Sequence, residues 1–439
     1  MRLPTKAAMF VLLLSAIAAP IIQAQPLGLQ KARELALAKS ALLRKAQLAV
    51  DQAALVKKAQ DYQFLPSLSA SVGGSSGYGS GESFADSLGS TAALSASATV
   101  FDGGNNAALS KKYDLATQAA QESLRSQRIT IIDSVDAAFF AVLEDMASLD
   151  AAASGQAAAK LRLQIAQAKS EAGALSKADL LETESEMASY ESTLVTARKA
   201  LASARAKLAS LTGLPAPTEL AQIDFASYDS LLAKLGSLDD KGIDTLVADL
   251  VAMSKASSPT LSNYALVARE ASMALVAAKS AYLPTIAASA AQDFALDSTG
   301  LKPTGSLSLS ATLSLDFWTT KNSVDQAEAA LQSAKLDTID QGSTLDLDVS
   351  QAAYEWIASA VAIPFSAKAL EYAQSNYENV LEKFKLSSAT ASDLSTAEAL
   401  VSTDKTALIS ARYAFLSDLS SLRGLLGLED EAKLLEALP

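Results

Sequence analysis

The chain has 439 residues, with 36 Lys and Arg against 48 Asp and Glu, a formal charge of −12. It contains no Cys and no His, which excludes disulfides, thiolate zinc sites, histidine metal ligands and Ser-His-Asp triads. So acidic a chain is not built to wrap nucleic acid, which rewards basic surface. Hydrophobic residues make up 50% and aromatics only 6%, the gap being filled by about 90 alanines. Alanine buries little area but is the best helix former, so the composition predicts long, closely packed helices.

The N-terminus reads as an address. Arg2 and Lys6 precede an apolar run over residues 7–22, interrupted only by Ser15, and Gln23-Ala24-Gln25 follows. This is the pattern of a secretory signal peptide over residues 1–24, with Ala24 a plausible cleavage point. A membrane anchor is the other reading, but the run is short for the roughly 20 residues of a spanning helix, and Pro20 stands near its end. No later segment offers ~18 consecutive apolar residues, so a mature chain that crosses a membrane must do so by strands.

The remainder contains one unit twice. Phe64-Leu65-Pro66-Ser67-Leu68 resembles Tyr282-Leu283-Pro284-Thr285-Ile286 at an offset of 218. Further on the offset is 214: Phe101-Asp102 with Leu315-Asp316, Asp179-Leu180 with Asp393-Leu394, Ala197-Arg198 with Ala411-Arg412, and Leu211-Thr212-Gly213-Leu214 with Leu425-Leu426-Gly427-Leu428. The expected organisation is a first repeat over 25–214, a connector over 215–245, a second repeat over 246–428 and a tail over 429–439.

After each Leu-Pro the pattern alternates with period two. The strands are expected at about 66–74, 92–101, 285–294 and 306–315, with hairpin loops over Ser75 to Ser90 and Asp297 to Gly305. In the fourth, Leu307, Leu309, Ala311, Leu313 and Leu315 alternate with Ser306, Ser308, Ser310, Thr312 and Ser314. One face is apolar and the other small and polar, as a lipid-facing barrel with a wet lumen requires. Four strands cannot close, and an open edge in lipid costs several kcal/mol for each unpaired backbone group. Several chains must therefore pool their strands. A half-buried sheet in a soluble trimeric coiled coil is the alternative, but its outer face would carry Lys and Glu, and these segments carry none.

Long, interrupted helices are expected at about 105–172 and 322–386, with breakers at Ser154-Gly155 and Pro364. Return helices at about 180–213 and 394–426 carry heptads: Leu180, Met187, Leu194, Leu201 and Leu208 in one, Leu394, Val401, Leu408, Phe415 and Leu422 in the other. Asp404 and Asp418 interrupt the second seam and imply a wet side.

A signal peptide, tandem helix–hairpin–helix units, Leu-Pro entering each hairpin, Phe101-Asp102-Gly103-Gly104 leaving the first, and Leu-x-Gly-Leu ending each return helix together resemble the TolC-type outer-membrane efflux proteins. Ser258-Pro259-Thr260-Leu261, followed by an Ala-rich helix to Tyr282-Leu283-Pro284, resembles the family's opening segment, with Ala41 in the place of Pro259 in the first copy. The resemblance implies a mainly α fold with a small β part: an elongated coiled-coil barrel under a membrane β-barrel built from four strands per chain. It implies a homotrimer in outer-membrane lipid, serving a periplasmic adaptor and an inner-membrane pump as a passive exit duct. It implies no catalysis, bound cofactor, metal or nucleic acid.

By the same resemblance the tips are residues 172–180 and 387–394. Ala172, Gly173, Ala174, Leu175, Ser387 and Ser388 stand where adaptors dock. Asp179 and Asp393 stand where the family keeps an acid at the tunnel entrance. Rings of acid there would favour cations, although each Asp could instead cap its return helix. Phe384 and Ala389 occupy positions where some members latch the entrance with Tyr and Arg, so closure by apolar contact is expected instead. Copy two leaves its hairpin by Asp316-Phe317-Trp318-Thr319-Thr320, where Trp318 is either an interfacial anchor or plain packing.

Overall fold

The computed structural model describes residues 26–76, 88–215, 219–297, 300–386 and 388–437. The proposed signal segment, most of the first hairpin loop and Ser387 lie outside the described residues. In chain order come α1 (Leu29–Lys39), α2 (Ala41–Asp61), β1 (Ser67–Ser76), β2 (Leu88–Phe101), α3 (Asn105–Glu171), α4 (Lys177–Thr212), α5 (Asp229–Gly236) and α6 (Asp240–Ser257). Then follow α7 (Pro259–Ser280), β3 (Thr285–Asp297), β4 (Gly300–Thr312), α8 (Phe317–Lys385), α9 (Ala391–Leu425) and α10 (Glu431–Ala437). At 1.5 Å per residue, α3 and α8 each run on the order of 100 Å.

Both long helices are continuous, contrary to the interruptions expected at Ser154-Gly155 and Pro364. Gly155 serves close approach rather than a break: a Cβ there would stand 3.1 Å from the Tyr190 ring on α4. Pro364 is exposed on α8, and the helix runs on through it to Lys385 although the ring removes one backbone donor. Connector residues Ile243 and Asp244 of α6 border a cavity with Ile357, Val361 and Phe365, at the level of Pro364.

The helix starts are fixed by local chemistry. The Asp102 carboxylate accepts from Gly104 N (3.0 Å) and Asn106 N (2.7 Å). Gly103 has φ +67°, and a Cβ on it would stand 2.7 Å from Ser280 O, so only glycine fits the turn. Its counterpart Asp316 caps α8 through Thr319 N at 3.2 Å and Thr319 Oγ1 at 2.7 Å, without the glycines. That cap starts the helix at Phe317, several residues before the expected Asn322. Ser258 caps α7, with Pro259 in the first turn where its lost donor is harmless.

The strands form one antiparallel sheet in the order β1-β2-β3-β4. The second hairpin is longer than its sequence suggests: β3 reaches Asp297 and β4 begins at Gly300, so 300–305 is strand, not loop. Pro303 lies near the hairpin end of β4, opposite Phe294.

The densest core lies where α1, the connector and the middles of α3, α8 and α9 meet. Trp356 stacks on Phe415 at 6.2 Å between centroids, with Phe139, Leu143, Leu419 and Leu422 buried around them. A buried ionic cluster joins the same elements. Asp136 accepts Arg33 Nε at 2.6 Å and Nη2 at 2.8 Å, Arg423 Nη2 at 2.8 Å and Ser420 Oγ at 2.7 Å. Arg423 also reaches Asp133 at 2.6 Å. A Cβ at Gly424 would overlap the Asp133 carboxylate, so glycine is required there for the pair to form. Asp136→Ala would strand the buried Arg33 guanidinium and leave Arg423 with Asp133 alone, and its expected cost is about 3–5 kcal/mol, to be read from the denaturant midpoint. A loss below ~1 kcal/mol would mean that the cluster contributes little to stability.

Candidate functional site

Two regions carry the function: the sheet at one end of the long helices and the hairpin tips at the other. In the sheet, Leu68 pairs with Ala96, Ala70 with Leu94 and Val72 with Ala92. On the far side Ala288 pairs with Leu309 and Ala290 with Leu307. Apart from Gln292 opposite Leu94, this face is apolar, and it is uncovered: Val72 and Leu307 are each 86% exposed. The opposite face is a hydroxyl ladder, with Ser67–Ser97, Ser69–Ser95 and Ser289–Ser308 each joined at 2.7 Å. The face satisfies itself by hydroxyl pairs and remains wettable. β1 and β4 have one neighbour each, so both outer edges of the sheet are open. No helix of the described residues is long and apolar enough to cross a membrane. Trp318 is 86% exposed and therefore not packed within the chain.

At the other end, α3 closes with a Schellman motif. Gly173 (φ +73°) donates to Ser170 O at 3.0 Å and Ala174 N donates to Lys169 O at 2.8 Å. Ala172, Gly173 and Ala174 are exposed and Leu175 is half-buried. At the second tip Ser388 N donates to Lys383 O at 2.8 Å; Ser388 is exposed and Ala389 half-buried.

Neither candidate acid is itself the N-cap. Ser176 and Thr390 hold that position, and Asp179 and Asp393 are three residues on. The two differ in what they do there. Asp393 completes a capping box, its carboxylate accepting from Thr390 N at 2.8 Å and Thr390 Oγ1 at 2.7 Å. The Thr390 hydroxyl and backbone bonds hold Asp393 below the usual carboxylate range. Asp179 uses its backbone N–H for Ser176 Oγ at 3.2 Å, with no capping box around its carboxylate.

Phe384 is 3% exposed, with Lys169 Nζ 3.9 Å from its ring centroid and 3.4 Å from its carbonyl oxygen. The contact ties the end of α3 to the end of α8. Higher up, buried Arg162 reaches Glu186 at 2.7 Å on α4 and Glu398 at 2.6 Å on α9. Ser395 donates to Glu186. Burial pushes Glu398 above its ordinary value, with Arg162 opposing and Glu186 adding to the shift. Neither tie is evident from sequence motifs. The one available signal is Arg162 and Lys169 one heptad apart in an alanine-rich helix.

A sheet with a bare apolar face, continued by helices of about 100 Å, defines the class: a membrane channel subunit with a helical tunnel. The family model described as outer membrane efflux protein matches residues 32–214 and 250–428. The chain belongs to that family, and its place is the outer membrane. No curated protein matches it. Among solved structures it is similar to the channel CusC, at 16% identity over 91% of this chain and 92% of that one, with a TM-score of 0.79. It is also similar to the outer-membrane channel CmeC of Campylobacter jejuni, at 15% identity over 93% and 88% of the two chains, TM-score 0.78. The outer-membrane protein VceC of Vibrio cholerae gives 15% identity over 91% and 96%, TM-score 0.77. At such identities the likeness is one of fold.

The asymmetry between the acids is testable by hydrogen–deuterium exchange. Asp393→Asn is expected to speed exchange in the first turn of α9, while Asp179→Asn leaves the first turn of α4 unchanged. Equal acceleration in both would show that the carboxylates cap alike.

Proposed function

We propose that three copies of the chain join their sheets into one closed barrel and their helices into one tunnel. This assembly is the passive exit duct for an inner-membrane pump and a periplasmic adaptor. The observation that carries the reading is the four-stranded sheet, apolar on one face, hydroxylated on the other, and open at both edges. Two copies would make an eight-stranded barrel, whose interior side chains fill; three copies of four strands leave a lumen. The tips, with Ala172, Gly173, Ala174, Leu175, Ser387 and Ser388, are the adaptor contact. Asp179 and Asp393 ring the tunnel entrance, and Asp179, free of a capping box, is the stronger ion contact. Phe384 and Ala389 offer no Tyr–Arg latch, and Phe384 is instead buried under Lys169 of its own chain, tying α8 to α3.

Membrane fractionation followed by cross-linking should recover the mature chain as a trimer in the outer membrane. A monomeric product in the soluble fraction would end the duct reading. In planar bilayers, Asp179→Ala with Asp393→Ala is expected to weaken block by multivalent cations added at the tip side about tenfold, equivalent to ~1.4 kcal/mol of ion binding. Unchanged block would reduce both residues to helix-end roles.

A further inference from the structure

We propose that the band where strands meet helices binds anionic phospholipid headgroups in the leaflet that faces the helical tunnel. The inference rests on the outer-membrane placement. The junctions of β2, β3 and β4 lie at one level, because the register sets Phe101 opposite Ile286 and Thr285 opposite Thr312, while β1 begins further along the sheet, with Ser67 opposite Ser97. An aromatic collar surrounds this level. The shift of register between Thr99 and Phe101 places Phe101 opposite Ile286, on the apolar face, and Leu315, just beyond the end of β4, is exposed. Tyr62, Phe64, Phe317 and Trp318 are all exposed beside them. Exposed aromatics of this kind sit at headgroup depth.

Immediately on the helical side stand Lys57, Lys58, Lys111, Lys112, Lys279 and Lys321, in a chain whose overall charge is −12. At 1.5 Å per residue they lie within about 10 Å of the junction, the reach over which lysine stems extend to an interface. The acids of the same band are engaged. Asp61 takes Lys57 at 2.8 Å and the Ser110 hydroxyl at 2.6 Å. Asp102 and Asp316 cap helices, and Asp325 takes Lys321 at 2.6 Å. Asp114 accepts from Gln118 at 3.0 Å. Lys112 faces the Tyr113 ring and lies near Glu270.

Lys58, Lys111 and Lys279 are exposed and in no ion pair among the described residues. Lys58 lies 5.8 Å from the Tyr62 ring centroid, and Lys279 is one turn from exposed Tyr282 and Leu283. The Ser110–Asp61 bond sets Lys111 beside the end of α2. Unpaired ammonium groups, one step below a ring of aromatics, fit a phosphodiester held at fixed depth.

The test uses the mature protein purified from membranes and placed in nanodiscs of phosphatidylcholine alone, or of equimolar phosphatidylcholine and phosphatidylglycerol. Native mass spectrometry should show phosphatidylglycerol retained in preference, and the thermal midpoint should rise in the mixed discs. Lys58→Gln, Lys111→Gln and Lys279→Gln together should cut the preference about fivefold per lysine, the equivalent of roughly 1 kcal/mol each near a charged surface. The Lys→Arg triple variant should keep it. Equal retention of both lipids, a preference that survives the Gln variant, or the same stabilisation by inorganic phosphate would overturn the proposal. A chain that does not enter discs at all would instead sink the outer-membrane reading beneath it.

Discussion

The backbone at the two outer edges of the sheet cannot be left unpaired in hydrocarbon, where each orphaned group costs several kcal/mol. Within one chain β1 and β4 have no second neighbour. Closure must come from elsewhere, and the rest of the molecule is arranged around that need. Each strand runs directly into a helix, so the order of strands in the barrel dictates the order of helices beneath it. Asp102 and Asp316 hold the two outgoing junctions by carboxylate bonds to first-turn N–H groups, Asp316 as the N-cap itself and Asp102 from two residues before the N-cap Gly104. The carboxylate bond, not the glycine pair, is therefore the feature that the duplication kept.

The duplicated hairpins have diverged in how they are tied together. The membrane end is held by backbone pairing and serine ladders, which tolerate almost any small side chain. The tips lack that support. There the chain uses charge: Arg162 between Glu186 and Glu398, and Lys169 over Phe384. Removing one member of such a buried group leaves the others uncompensated, so these ties are far less tolerant of substitution than the ladder. Alanine allows the close helix approach that brings the charges together. Gly155 is the extreme case, where even a methyl group would press on Tyr190.

Much of the architecture was legible because it rests on periodicity and punctuation. Period-two serine alternation gave the strands, heptads gave the return helices, and the offset of 214 aligned the copies. What failed were inferences from single residues and short stretches. Pro364 and Gly155 were expected to interrupt helices, yet the helices continue because packing on both sides outweighs a local propensity cost of about 1–3 kcal/mol. Residues 300–305 were expected to be loop, as part of a Gly/Ser-rich stretch from Asp297 to Gly305, but backbone pairing with β3 carries the strand to Gly300. The Arg162 and Arg33 clusters were invisible for a different reason. Their partners lie 236 and 103 residues away, and no local pattern marks a charge as buried.

The two tip acids show how far sequence equivalence reaches. Asp179 and Asp393 are at the same offset and at the same helical position. A carboxylate there can turn back to its own N-cap or outward to solvent, and the N-cap chemistry helps decide which. Thr390 donates both its N–H and its hydroxyl to Asp393, which holds that charge in place. Ser176 Oγ accepts from Asp179 N–H just as Thr390 Oγ1 accepts from Asp393 N–H, but Ser176 makes no return bonds to the Asp179 carboxylate. Any ring of charge built from three copies would thus have one acid already satisfied and one seeking counter-ions. Equivalent positions in the two copies therefore carry different local bonding: the Asp393 carboxylate closes a capping box and the Asp179 carboxylate does not.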